Sequence, residues 1–205
     1  SVSDKSGLEE FVPRLVRLNP ELRVFSTGGT FAHLAKVLGA AAAGRLIQVS
    51  DYTGQPETQG GLVKTLDFKI YLGLLTETYN EAHQSDLSRT GSVPIDLVVV
   101  NLYPFRQTIA KAGVTLEEAR GNIDIGGPCM IRAAAKNFIR VAAVVDPGDY
   151  ASIASELEAN AGATGLALRF RLAQKAFAHT AAYDRAIADY LGGVSAGDVS
   201  ACYRR

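Results

Sequence analysis

Residues 122–137, NIDIGGPCMIRAAAKN, restrict the possible folds more than any other stretch of this chain. Two adjacent glycines ahead of a proline permit a sharp turn followed by an abrupt helix start, since proline fits a first turn where its missing N–H is not needed. Ile123 and Ile125 ahead of the glycines predict the end of a buried strand over 122–125. Strand, glycine turn and helix in that order belong to α/β folds with parallel sheets. Asp124 then lies just before a helix N-terminus, and Arg132 and Lys136, four apart, share a face of that helix. Taken alone, the stretch is as compatible with an ordinary strand, turn and basic helix as with a proton-moving site.

Composition sets what kind of ligand such a unit would meet. The chain has 205 residues, 47% hydrophobic, enough for one well-filled core with a helical extension. Lys plus Arg and Asp plus Glu number 21 each, so no bulk positive charge is available for nucleic acid or an acidic membrane surface, and a small molecule is the expected partner. Cys129 and Cys202 stand far apart without metal-site spacing, which suits free thiols in a reducing cytoplasm. No apolar run approaches the roughly 18 residues of a membrane span, and no signal-peptide pattern opens the chain.

Taken in order, Ser1–Ser3 read as the tail of a strand, so the sequence is expected to be a fragment or a trimmed piece. A helix follows, and Pro13 places its start near Glu9 or Glu10. Leu22–Phe25 read as a strand, and Ser26, Thr27, Gly28, Gly29 and Thr30 lead into a helix over 31–38. Helix-start N–H groups, glycines and hydroxyls together have the form of a phosphate cradle. Ser3, Lys5 and Ser6 repeat that logic with a positive charge added, although serine and glycine also make simple caps and turns. A strand over 45–49 precedes a long loop, 51–61, and Lys64 with Thr65 follows it. The apolar run 96–102 predicts a buried parallel strand, and its carboxyl end, with Asn101 and Tyr103, is where open α/β sheets bind ligands. Thr115 and Glu118 stand in capping-box positions. A further strand over 140–145 and helices over 150–159 and 166–191 complete an open, mostly parallel sheet flanked by helices. Residues 1–150 read as the core and 151–205 as its helical extension.

The stretches SVSDKSG, STGGT, GLVKTL, NLYPF, IDIGGP, RAAAKN and AFAHTAAYD, in this order, resemble the inosine monophosphate cyclohydrolase domain. The resemblance implies a methylglyoxal-synthase-like fold. It also implies closure of the purine ring of a formylated imidazole-carboxamide ribotide to inosine monophosphate, a homodimer, and a formyltransferase that is fused or separate. It carries Lys64, Tyr103, Asp124 and Lys136 onto catalytic positions, with Asp124 and Lys136 expected to relay a proton. Ser3, Lys5, Ser6, Ser26, Gly28, Gly29, Thr30 and Thr65 would bind the phosphate and Asn101 the base or ribose. Backbone N–H groups at Ile125, Gly126 and Gly127 would face the reacting oxygen. Neither metal nor organic cofactor is implied.

One segment departs from the family pattern. Where most members read Arg-Val-Lys-Thr-Leu-His-Pro, this chain has Leu62, Val63, Lys64, Thr65, Leu66, Asp67 and Phe68. An arginine contact to phosphate would be lost, and Asp67 would add negative charge beside an anionic ligand unless Lys69 neutralises it. The alternative is therefore a non-catalytic sensor of a purine nucleotide or another phosphometabolite on the same fold; a methylglyoxal-synthase-like lyase fits less well.

Overall fold

The computed structural model describes residues 1–56, 58 and 63–202. Its strands β1 (Val24–Ser26), β2 (Leu46–Gln48), β3 (Leu97–Val99) and β4 (Ala142–Val144) form two parallel ladders. β1 pairs with β2 in the register Val24↔Leu46, and β3 with β4 in the register Leu97↔Ala142. Val2 adds a single parallel bridge to Asn101, just beyond β3. Parallel pairing requires crossover connections, and helices supply them here, so the open α/β reading holds with its strands divided between two ladders. An apolar cavity of about 340 Å3 separates the ladders, lined among others by Val24, Phe25, Ser26, Val98 and Val100.

The helices follow from amphipathic spacing. In α1 (Leu8–Leu18) the buried residues Leu8, Phe11, Val12 and Leu15 repeat at three- and four-residue intervals. The helix starts ahead of the expected Glu9 or Glu10, and Pro13 lies inside it. Proline removes the N–H that would reach Glu9, an exposed residue whose carbonyl water can satisfy. Helix α2 (Gly28–Leu38) likewise begins three residues before the expected Phe31, and α3 (Val49–Thr53) occupies the front of the segment read as a loop.

α4 (Phe68–Leu75) and α5 (Glu81–Thr90) lead to β3. α6 (Phe105–Ile109) and α7 (Leu116–Gly121) follow it, and the Thr115–Glu118 capping box forms as expected. The strand predicted over 122–125 does not form. α7 runs to Gly121, and the Asn122 side-chain amide donates to Glu118 O at 2.9 Å, so this stretch closes one helix and turns into the next. Helix α8 (Gly126–Lys136) carries Pro128 as its third residue, still within the first turn.

Residues Met130, Ile131, Ala133, Ala134 and Ala135 of α8 are buried. The small alanines let the helix approach β4 and the long helix α10 (Leu166–Gly192) closely, and α9 (Tyr150–Ala159) packs on α1. Two apolar clusters result, one around Ile131, Val100 and Leu74 and the other around Phe11, Ile153 and Leu172. α10 contributes to both clusters, and α11 (Ala196–Cys202) ends the described chain. No helix among the described residues is long and apolar enough to cross a membrane.

Candidate active site

Val2 runs parallel to the end of β3, and the segments that follow β1, Val2 and β3 each carry candidate residues. After β1, Thr27 is the N-cap of α2 but its side chain makes no capping hydrogen bond, and Gly28 adopts φ +46°. The first N–H groups of a helix have no partner within it, so Gly28, Gly29 and Thr30 present donors that are unpaired among the described residues, at the positive end of the helix dipole. Among the described residues, a Cβ on Gly29 would meet nothing within 4 Å, so they leave the space beyond it open. The Lys64 ammonium stands against Gly28, 3.4 Å from the position of a Cβ there, and this exposed lysine has no ion pair among the described residues. Two positive features therefore converge where an anion would bind.

The next residue joins this cradle to the start of α8, because Thr65 Oγ1 lies 3.0 Å from where a Cβ on Gly126 would be. Beside it, Asp124 Oδ1 accepts from the Gly127 N–H at 2.8 Å. A Cβ on Gly127 would come within 2.6 Å of both Asp124 Oδ2 and Leu102 Cδ2, so glycine is required at this contact. Ile125 caps α8 and is exposed. Tyr103, 51% exposed, follows β3 with its ring open to solvent. Lys64, Thr65, Asp124 and the two glycines at 126 and 127 thus come together from segments distant in sequence.

Other expected ligand groups are used within the protein. Asn101 Oδ1 accepts from the N–H groups of Ser3 and Asp4 at 2.6 and 2.8 Å, and its amide donates to Asp4 O at 2.7 Å. It clamps the first loop to the end of β3, which leaves little hydrogen-bonding capacity for a base or ribose. The Thr30 hydroxyl accepts from Val2 N–H and donates to Val2 O, both at 3.2 Å, and so ties α2 to the same loop. Ser6 donates through N–H and hydroxyl to Asp4 Oδ1, which holds the Asp4 carboxyl below its usual range. Among the described residues, the Lys5 ammonium makes a single long contact, to Ser3 O at 3.5 Å. Ser26 is buried, and its hydroxyl has no hydrogen-bond partner among the described residues.

Lys136 is separated from this group. It is the exposed last residue of α8, so its Cα lies about 15 Å along the axis from Gly126 at 1.5 Å per residue. The departing segment resolves differently from expectation at Asp67. That carboxylate is buried and accepts from Lys69 N–H at 2.8 Å, so it caps α4, while the Lys69 ammonium turns to Tyr52 O. Leu62 lies outside the described residues.

Two features escaped the sequence reading. Tyr183 reaches from α10 to the Asp124 turn, where its hydroxyl accepts from Asp124 N–H at 2.8 Å. Its sequence signals are periodicity, since 172, 176, 180 and 183 recur on the buried face of α10, and its place in the AFAHTAAYD stretch, which by itself assigns it no role. Lys175, also on α10, bridges Asp146 and Asp149 beyond β4 at 2.6 and 2.7 Å. Its hydrogen bond holds the Asp146 carboxyl below its usual range. No group of three or more His, Cys, Asp or Glu side chains among the described residues is arranged to hold a metal ion.

Comparison with known proteins agrees with this architecture. Residues 7–129 match the MGS-like domain, and residues 134–203 match the AICARFT/IMPCHase bienzyme. The "Bifunctional purine biosynthesis protein PurH" of Acidithiobacillus ferrooxidans is 51% identical over 95% of this chain, which spans 36% of that relative. Its namesake from Neisseria gonorrhoeae is 51% identical over 98% of the chain and 37% of the relative. The chain therefore spans little more than a third of these curated relatives. A solved structure titled "Crystal structure of ForH" superposes with a TM-score of 0.77 at 34% identity, covering 93% of this chain and 94% of that one. With the AICARFT/IMPCHase pattern following in its last third, the chain belongs to the MGS-like domain family.

Proposed function

We propose that this chain is an IMP cyclohydrolase that closes 5-formamidoimidazole-4-carboxamide ribotide to inosine monophosphate in purine biosynthesis. The observation that carries the reading is the junction made by Lys64 and Thr65, which links the uncapped start of α2 to the Asp124–Gly127 start of α8. One end of that junction suits a phosphate and the other a group that exchanges protons. The printed names of the relatives support the purine assignment.

The reaction needs little beyond position and proton movement. The carboxamide nitrogen forms a bond to the formyl carbon and gives up a proton, while the formyl oxygen gains one. Water then leaves as the formamide nitrogen loses its proton and the ring C=N bond forms. Both reacting groups are on one molecule, so the protein's task is to hold an attack geometry and balance charge. Asp124 is the carboxylate placed to accept the proton of the attacking nitrogen. Lys64, Tyr103 and the N–H groups at the start of α8 balance the developing negative charge on the oxygen. Ser3, Lys5, Ser26, Gly28, Gly29 and Thr30 surround the phosphate through their backbone and their remaining donors. Lys136 enters through the resemblance, and its distance from Gly126 requires the substrate to extend along α8 or the lysine to lean back toward the helix start. A formyltransferase, fused or separate, supplies the substrate, and the exposed Phe170 and Phe177 of α10 offer an apolar face for a homodimer.

The test is an ultraviolet absorbance assay of ring closure by the parent, Asp124→Asn and Lys136→Ala. Turnover in the parent and its loss in Asp124→Asn support the cyclohydrolase. Normal turnover in Lys136→Ala removes that lysine from the proton relay. A parent that binds the nucleotide without turning it over is a sensor instead.

A further inference from the structure

We propose that Tyr183 is the positioning residue for Asp124, fixing the turn that aims this carboxylate at the substrate; the inference rests on the cyclohydrolase reading above. Residues 122–125 lie in neither helix nor strand, so the direction of the Asp124 side chain is not set by a regular backbone ladder. It is set by individual bonds. The carboxylate Oδ1 is held by Gly127 N–H at 2.8 Å, and the Asp124 N–H is held by the Tyr183 hydroxyl at 2.8 Å. The same hydroxyl donates to Asn122 O at 3.3 Å. One phenol therefore closes the backbone on both sides of Ile123, using its single donor and one of its acceptor positions.

The phenol is itself held rigidly. Tyr183 is buried in α10, which packs against α8, and its ring meets Phe105 edge-on at 6.2 Å and 68°. Phe105 N–H in turn donates to Tyr103 O at 2.8 Å. Asp124 and Tyr103 reach the site from different segments, yet one aromatic pair buttresses both. Burial raises the Tyr183 phenol above its ordinary value, so it stays protonated and able to donate to Asn122 O at neutral pH. Tyr190, lower on the same helix, also meets Phe105 edge-on, at 5.8 Å and 85°, without a hydrogen bond to the Asp124 turn. It provides a matched control.

The experiment compares kcat and KM for ring closure in the parent, Tyr183→Phe and Tyr190→Phe. Removing the Tyr183 hydroxyl keeps the ring and its packing but frees the turn. A misplacement on the ångström scale is worth up to about 100-fold in rate, so kcat is expected to fall roughly 10- to 100-fold with KM changed less than about threefold. Tyr190→Phe is expected to retain the kcat of the parent. Amide exchange at Asp124 supplies a readout that needs no stable variant: slow exchange in the folded parent supports the clamp, and exchange at the rate of an open loop overturns it. Equal kcat in Tyr183→Phe and an active parent overturns the inference alone, as does an equal loss in Tyr190→Phe. A parent without turnover overturns the cyclohydrolase reading, and this role with it.

Discussion

The ammonium of Lys64 lies 3.4 Å from the point that a Cβ on Gly28 would occupy, so lysine and glycine share one small space at the start of α2. Gly28 also adopts φ +46°, where an L-residue costs about 1–2 kcal/mol. Gly28→Ala is thus expected to strain the backbone and to push the ammonium away from the cradle. Lys64→Met removes the charge and leaves the backbone intact. A charge-assisted contact is worth about 1.5–3 kcal/mol, so ligand binding by Lys64→Met is expected to weaken by roughly 10- to 100-fold, with Tm nearly unchanged. Titration calorimetry with inosine monophosphate, alongside thermal melts of both variants, checks the pair. A melt of Gly28→Ala at the parental Tm would contradict the strain argument.

Gly127→Ala carries a different expectation. Its new methyl would lie 2.6 Å from both Leu102 Cδ2, which is packed in the core, and Asp124 Oδ2, whose carboxylate is bonded to the Gly127 N–H, so one of the two must shift. Overpacking of this kind costs about 1–3 kcal/mol. At about 2–4 °C per kcal/mol for a chain of this size, a Tm lower by several degrees is expected, together with loss of turnover as Asp124 is displaced. A thermal melt and the ring-closure assay report the two effects separately.

Ser26 separates stability from function. Its buried hydroxyl has no hydrogen-bond partner among the described residues, and such a group costs about 1–3 kcal/mol. Ser26→Ala is expected to raise Tm by a few degrees while weakening nucleotide binding. A Tm at or below that of the parent would show that the hydroxyl is satisfied in solution, for example by a bound water.

The Lys175 bridge predicts a pH dependence. The Asp146 carboxyl is held below its ordinary value by its hydrogen bond to Lys175, so the bridge contributes stability above the unfolded carboxyl range and loses it as pH falls through the depressed folded value. Lys175 is raised: burial opposes its charge, but its hydrogen bonds to Asp146 and Asp149 outweigh that. Its contribution is present at neutral pH and lost only as strongly alkaline values approach the raised one. Both partners of the Lys175–Asp146 pair are more than a third exposed, so solvent screening limits the bridge to about 1 kcal/mol. Lys175→Met is expected to lower Tm by about 2–4 °C at pH 7, and the gap to the parent is expected to close as pH drops below the carboxyl range. Melts from pH values below the carboxyl range up to pH 8 measure it.

Much of the fold could be read from local pattern. The runs at 96–102 and 140–145 are apolar enough to be buried on both faces, and β3 and β4 form inside them. Thr115 and Glu118 specified their capping box through chemistry that acts within one turn. Local pattern misleads where short apolar stretches meet competing neighbours. Asn-Ile-Asp-Ile at 122–125 has a strand's composition, but α7 ends beside it and the Asn122 amide closes that helix, so the segment is a turn. Pro13 read as an obstacle to a helix, whereas the exposed Glu9 can leave its carbonyl to water.

The site divides along the same line. Its parts were legible because they depend on short-range chemistry: glycines and hydroxyls at a helix start, a carboxylate before a Gly-Gly-Pro turn, and a lysine after a long polar segment. Their assembly was not, because it depends on contacts across long sequence distances that no local pattern encodes. Only the tertiary structure places Lys64 against Gly28 and Thr65 against Gly126. It alone commits Asn101 and Thr30 to holding the first loop, sets Asp67 as the cap of α4, and leaves Lys136 at the far end of α8. It also brings Tyr183 across 59 residues to Asp124, since the packing of α10 against α8 decides which phenol meets which turn. Sequence determined which chemical groups this protein has, and packing decided which of them face one another.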